Sequence, residues 1–128
     1  MTPVDVQSVL RVILATVFVG MGVLHFRRGP MRMMAAMIPP RLRFQHVLTP
    51  RTLVIVTGIC EIAGGIGLLV PATMVAAALC LIIFLVAVFP ANAYAAHHPE
   101  RFGRAAIPLV PRLVGQLVLM ALIALAII

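Results

Sequence analysis

The sequence predicts an all-α integral membrane protein, a four-helix bundle with a short interfacial segment between its first and second helices. Three observations lead there. Of 128 residues, 63% are hydrophobic and only 10% charged, a balance outside the range of soluble domains. The apolar residues fall in four runs, at 4–26, 52–70, 73–89 and 112–128, each close to the ~20 residues with which an α-helix crosses a bilayer. The arginines, finally, gather on one side of that pattern. Together these describe a single transmembrane domain over 1–128.

The first run contains Arg11, whose long side chain can snorkel to the nearer surface. It is followed by His25, Phe26, Arg27 and Arg28. A cleavable signal peptide carries its charge in front and small residues behind, so this run reads as a retained helix. The next segment, 29–51, is basic and rich in methionine: Met31, Met33, Met34 and Met37 lie among Arg32, Arg41, Arg43 and Arg51, interrupted by Pro39 and Pro40. Its first half suits a short helix lying in the interface. Methionine is a common gap filler, so these residues are expected to pack at the membrane surface rather than bind a metal.

The second run ends at Pro71, and the third begins near Thr73 and closes at Phe89-Pro90, with an uncharged hairpin between them. A polar loop over 91–111 carries His97, His98, Glu100, Arg101 and Arg104 before the last run opens at Arg112. That run is short but long enough to span a thin or locally adjusted bilayer.

All ten basic side chains are arginine and the only acids are Asp5, Glu61 and Glu100, giving a net charge of +7. No helix with interleaved basic and aromatic residues suggests nucleic-acid recognition; the partner this charge fits is the headgroup layer of a lipid bilayer. With four spans, the first and third loops share one side of the membrane, and with their flanks they hold nine arginines against Arg11 alone on the other. The positive-inside rule then places the Arg-rich loops in the cytoplasm and both termini outside.

Glu61 is the most informative residue, because a charged carboxylate well inside a span costs roughly 2.5–3.5 kcal/mol even on the lenient insertion scale. It must be paired, hydrated or protonated. Its helical neighbours include Thr57, Gly58, Gly64 and Gly65, a face of small residues that either admits another helix or leaves room for a ligand. His25 ends the first run, Asn92 follows the third, and Arg112 and Gln116 begin the fourth, so these four project from the same end of the bundle. An Arg112 side chain reaching inward could pair with Glu61, with His25 nearby; in the plainer alternative His25 and Arg112 only anchor their helices at the interface. Cys60 and Cys80 read as small packing residues. His97-His98 lacks the spacing of a helical metal site, and no metal is expected.

Several segments taken together resemble the DoxX-like family of small membrane proteins: Gly20 through Phe26, Ile38-Pro39-Pro40, Gly58 through Pro71 around Glu61, Phe89 through Asn92, and Pro111-Arg112-Leu113 with Gln116. The resemblance implies a four-helix protein of the bacterial cytoplasmic membrane with a redox association, in some members through membrane oxidoreductase complexes, although most have no established activity. The function expected on this basis is a small membrane subunit that binds a quinone or similar amphipathic ligand among His25, Glu61, Asn92, Arg112 and Gln116. The chain has no haem, flavin or iron–sulfur signature, so electrons would come from a soluble oxidoreductase partner. The alternative is a non-catalytic scaffold or lipid-binding module in which a Glu61–Arg112 pair only fixes helix register. A small transporter is a third reading; it would need a homo-oligomer, which the Gly-rich second run would allow.

Overall fold

The computed structural model describes residues 2–42 and 49–128, and their regular structure is entirely helical. In chain order the helices are α1 (Pro3–Leu24), α2 (Arg28–Met37), α3 (Pro50–Gly67), α4 (Met74–Ala96), the single turn α5 (Pro99–Phe102), and α6 (Leu109–Leu125). α1, α3 and α4 are long and apolar enough to cross a membrane, and α6 is a shorter apolar helix of 17 residues. Arg43, part of the predicted basic segment, lies outside the described residues.

The helix starts follow from local chemistry. Thr2 and Asp5 form a reciprocal capping box at the head of α1, with Pro3 in the first turn where its missing N–H costs nothing. Thr49 caps α3 by accepting from the Thr52 amide, again followed by a proline. α3 stops at Gly67, short of Pro71, because the chain turns there: the Thr73 hydroxyl donates to the carbonyl oxygens of Gly67 at 2.9 Å and Val70 at 3.3 Å.

α4 corrects the expectation that the third helix ends at Phe89-Pro90. It runs through Pro90 to Ala96, so Asn92 sits within the helix rather than after it. Proline removes one hydrogen bond from a helix, but packed neighbours tolerate it in membrane segments. α6 likewise begins before Arg112, at Leu109, with Pro111 held in its first turn.

α1 packs against α3, α3 against α4, and α6 against both α4 and α1. Glycines set the closest approach. A Cβ on Gly22 of α1 would stand 2.6 Å from Ile62 Cγ1 and 2.9 Å from the Gly58 carbonyl oxygen of α3, and one on Gly58 would stand 2.6 Å from His25 Cβ. The glycine face of α3 is thus occupied within the chain. The core lies toward the α3–α4 hairpin and includes Phe18, Leu68, Ala78, Leu81, Leu85 and Ile123. At this end the Arg11 guanidinium donates to the Ala126 carbonyl oxygen at 2.7 Å, and the Gln7 amide to the carbonyl oxygens of Leu125 and Ile128. Arg11 therefore places a cation on the carbonyls at the end of α6. Cys60 and Cys80, expected to be packing residues, are both free thiols on outward faces.

Candidate functional site

Along α3 the buried positions Val54, Gly58, Glu61 and Gly65 recur at helical spacing. Gly58 and Gly65 receive α1, while Gly64 meets Leu81 of α4. Glu61 lies on the same face between these contacts. It opens onto a cavity of about 1000 Å³ lined by α1, α2, α3, α4 and α6. The walls are mostly apolar, including Phe18, Met21, Phe84 and Leu85, and α2 contributes Met33, Met34 and Met37. Among the described residues the polar groups at the cavity are His25, Thr57, Glu61, Asn92 and Arg112. Four of the five sequence-predicted residues therefore share one space. Gln116 does not line it; its Oε1 is buried without a hydrogen-bond partner among the described residues.

The Gly22–Gly58 contact carries the end of α1 onto α3 and places His25 beside Glu61. Both are buried, with 8% and 7% of their surface exposed. His25 Nε2 lies 2.8 Å from Glu61 Oε2. The contact has ion-pair length but falls short of hydrogen-bond alignment, so among the described residues this buried oxygen has no aligned donor. On the other side of the ring, Nδ1 lies 2.8 Å from the Val54 carbonyl oxygen and 3.1 Å from Thr57 Oγ1. The Thr57 hydroxyl donates in turn to the carbonyl oxygens of Leu53 and Val54, each at 2.9 Å.

A carbonyl only accepts, so the Val54 contact keeps a proton on Nδ1 and turns Nε2 toward the carboxyl group. A single further proton placed at this contact would sit on Nε2 or on Oε2. It yields either an imidazolium beside a carboxylate or a neutral imidazole beside a carboxylic acid, and the dyad is uncharged overall in both states. Such a pair can hold a proton at the cavity wall and release it to a bound group.

The structure pairs Glu61 with His25, which corrects the expected Glu61–Arg112 pair. Arg112 is instead half-buried, with Nη1 donating to Asn92 Oδ1 at 3.1 Å and Nε to the Ile107 carbonyl oxygen at 3.2 Å. Thr57 and the Val54 carbonyl were missed as partners of the histidine. The available signal was Thr57 itself, one turn before Glu61 on the same helical face. The α2 methionines were expected at the membrane surface, and three of them form cavity wall.

Outside the cavity, beyond the end of α4, His98 Nδ1 lies 3.0 Å from Glu100 Oε1, Tyr94 packs 4.3 Å from the His98 ring, and Arg101 donates to the Tyr94 hydroxyl at 2.8 Å. The Glu100 carboxyl is held below the ordinary range by a bond from its own backbone amide and by His98.

The stretch that builds both the cavity and the core is also the stretch that matches a family model, described as a domain of unknown function (DUF8561), over residues 14–127. The chain belongs to the DUF8561 family. The DUF8561 match begins at Leu14, the first buried residue of α1, and includes His25, Glu61, Asn92, Arg112 and Gln116, whereas Gln7 and Arg11 precede it. No curated protein and no solved structure matches the chain.

Proposed function

We propose that this DUF8561 member is a four-span membrane protein that binds a quinone or a similar amphipathic ligand in the cavity and exchanges a proton with it through His25 and Glu61, in support of a soluble oxidoreductase partner. The observation that carries this reading is the buried dyad opening onto a large apolar cavity, with Asn92 and Arg112 on the same wall space. Apolar walls suit a ring and tail, while an imidazole, an amide and a guanidinium can bond to polar oxygens of a headgroup. A buried acid in a membrane helix usually marks function. The motif resemblance to DoxX-like proteins supports the redox association and a bacterial cytoplasmic membrane. The nine-to-one division of arginines supports cytoplasmic Arg-rich loops and external termini.

The test is purification in mild detergent followed by organic extraction and mass spectrometry of what leaves the protein. Quinone at a near-constant ratio to protein, reduced in a Glu61→Gln variant that folds normally, is the expected result. Phospholipid alone, unchanged in that variant, favours the alternative of a scaffold or lipid-binding module. Single cysteines placed beside Arg101 and beside Thr2, in a chain with Cys60 and Cys80 replaced, should be labelled from opposite sides of the membrane or the proposed topology fails.

A further inference from the structure

We infer that α2 docks on the membrane surface through its arginine side, Arg28 and Arg32 binding the anionic headgroups of phospholipids, and that this contact seats its opposite, methionine side as a wall of the cavity. This rests on the membrane reading above and adds a partner separate from the cavity's ligand.

The 10 residues of α2 rise about 15 Å, half the ~30 Å of bilayer hydrocarbon, so the helix packs on α3 and α4 without crossing. Its residues divide by side. Met33, Met34 and Met37 line the cavity. Arg28 and Arg32, one turn apart, project from the opposite side of the helix and are exposed. α2 begins close behind the end of α1 at Leu24, which sets these arginines where a span gives way to headgroups. None of its residues is fully buried, so packing alone holds it less firmly than the spans. No acid of the chain answers the two charges. Asp5 is in the capping box at the start of α1, Glu61 is buried at His25, and Glu100 is at His98. A second copy of the chain carries the same three acids and brings no acidic patch to this face. Two guanidiniums a turn apart, each a planar fork of donors, match the oxygens of lipid phosphates. Whatever holds the arginine side to the headgroups also favours Met33, Met34 and Met37 in their places at the cavity, so lipid and cavity are linked through one short helix.

The full chain in nanodiscs tests this, with discs of phosphatidylcholine alone compared with discs of phosphatidylcholine and phosphatidylglycerol, and amide hydrogen exchange read by mass spectrometry. Amides of α2 should exchange ~10–30-fold more slowly in the anionic discs, about five-fold for each arginine near a charged leaflet, while those of α4 stay unchanged. Arg28→Gln combined with Arg32→Gln should remove the difference, and Arg104→Gln, in the other basic loop, should keep it. Decylubiquinone added to the same discs tests the ligand reading separately, since it should slow exchange around Glu61 in either lipid. Equal α2 exchange in the two kinds of disc overturns the inference and leaves this face to an acidic protein, with the ligand reading decided by the decylubiquinone result. A difference that survives the double substitution, or that soluble glycerol phosphate reproduces in phosphatidylcholine discs, overturns it as well. A lipid effect that needs both arginines, with no change on adding decylubiquinone, upholds the docking and overturns the quinone reading.

Discussion

At the hairpin end of the molecule Leu68, Leu81 and Ile123 are at most 1% exposed, and the beginning of α1 is tied to the finish of α6 through Gln7 and Arg11. At the other end the same helices part around a cavity of about 1000 Å³ in which the polar side chains collect. The sequence of each helix divides accordingly. α3 spends Gly64 and Gly67 on contacts with α4 at the closed end, and Thr57 and Glu61 on the dyad and cavity at the open one. One end supplies tight apolar packing, the main driving force between helices in lipid. The other gives up that packing for a lined space, as functional regions commonly do.

Mutations should separate the two ends. Leu81→Ala removes a fully covered side chain where α3 and α4 meet, and should cost about 2–4 kcal/mol in unfolding free energy. Equilibrium unfolding in mixed micelles measures it, and the folded fraction should still bind ligand normally. A loss below about 1 kcal/mol would show that the hairpin end is not the stabilising half.

The dyad should show the reverse pattern. In a double-mutant cycle on stability, His25→Gln with Glu61→Gln should give a coupling of about 1–2 kcal/mol, as for a buried interaction involving a charge or a shared proton. The equivalent cycle between Glu61 and Arg112 should give a value near zero, since each is held by other partners. Should the second cycle return the larger coupling, the pairing described above is wrong. Ligand affinity in the Glu61→Gln protein should fall much more than its melting temperature does.

Smaller effects follow at the margins. Arg11→Met removes the guanidinium from the α6 carbonyls and should cost about 0.5–1.5 kcal/mol, read by the same unfolding assay, with no effect on the cavity. The smallest effect belongs to Glu100, which is fully exposed. Because folding depresses its carboxyl, any stabilisation it gives is present above the ordinary carboxylate range and is lost as the pH falls through the lowered folded value. Carboxyl-carbon NMR should therefore find its titration shifted to lower pH than in a His98→Ala variant, with thermal stability almost unchanged.

The helical class and the positions of the long apolar runs were legible because composition and run length decide them. The gathering of His25, Asn92 and Arg112 toward one end was also readable, since each stands near the same end of its run. What sequence could not supply was rotation. Depth along a helix follows from residue count, but whether Glu61 turns to α1 or α6 depends on how α1 seats on α3, and that is set by the mutual fit of Gly22 and Gly58. Pro90 misled for a related reason: its local preference is to stop a helix, and tertiary packing carries α4 past it. The α2 methionines were placed at the surface because their pattern gives amphipathicity but not the space they would cover.

The unequal lengths of α4 and α6 bear on the lipid around the protein. The two are neighbours, yet 23 residues against 17 make lengths of about 35 Å and 26 Å at the usual rise. No flat hydrocarbon slab of ~30 Å matches both. If both cross, the last turns of α4, beyond Phe89, carry Asn92 and Tyr94 into the headgroup layer while the bilayer thins beside α6, so the annulus of lipid is thinner on that flank. A thinned flank brings headgroups to the depth of Asn92 and Arg112, and it favours residence in membranes of short-chain lipid.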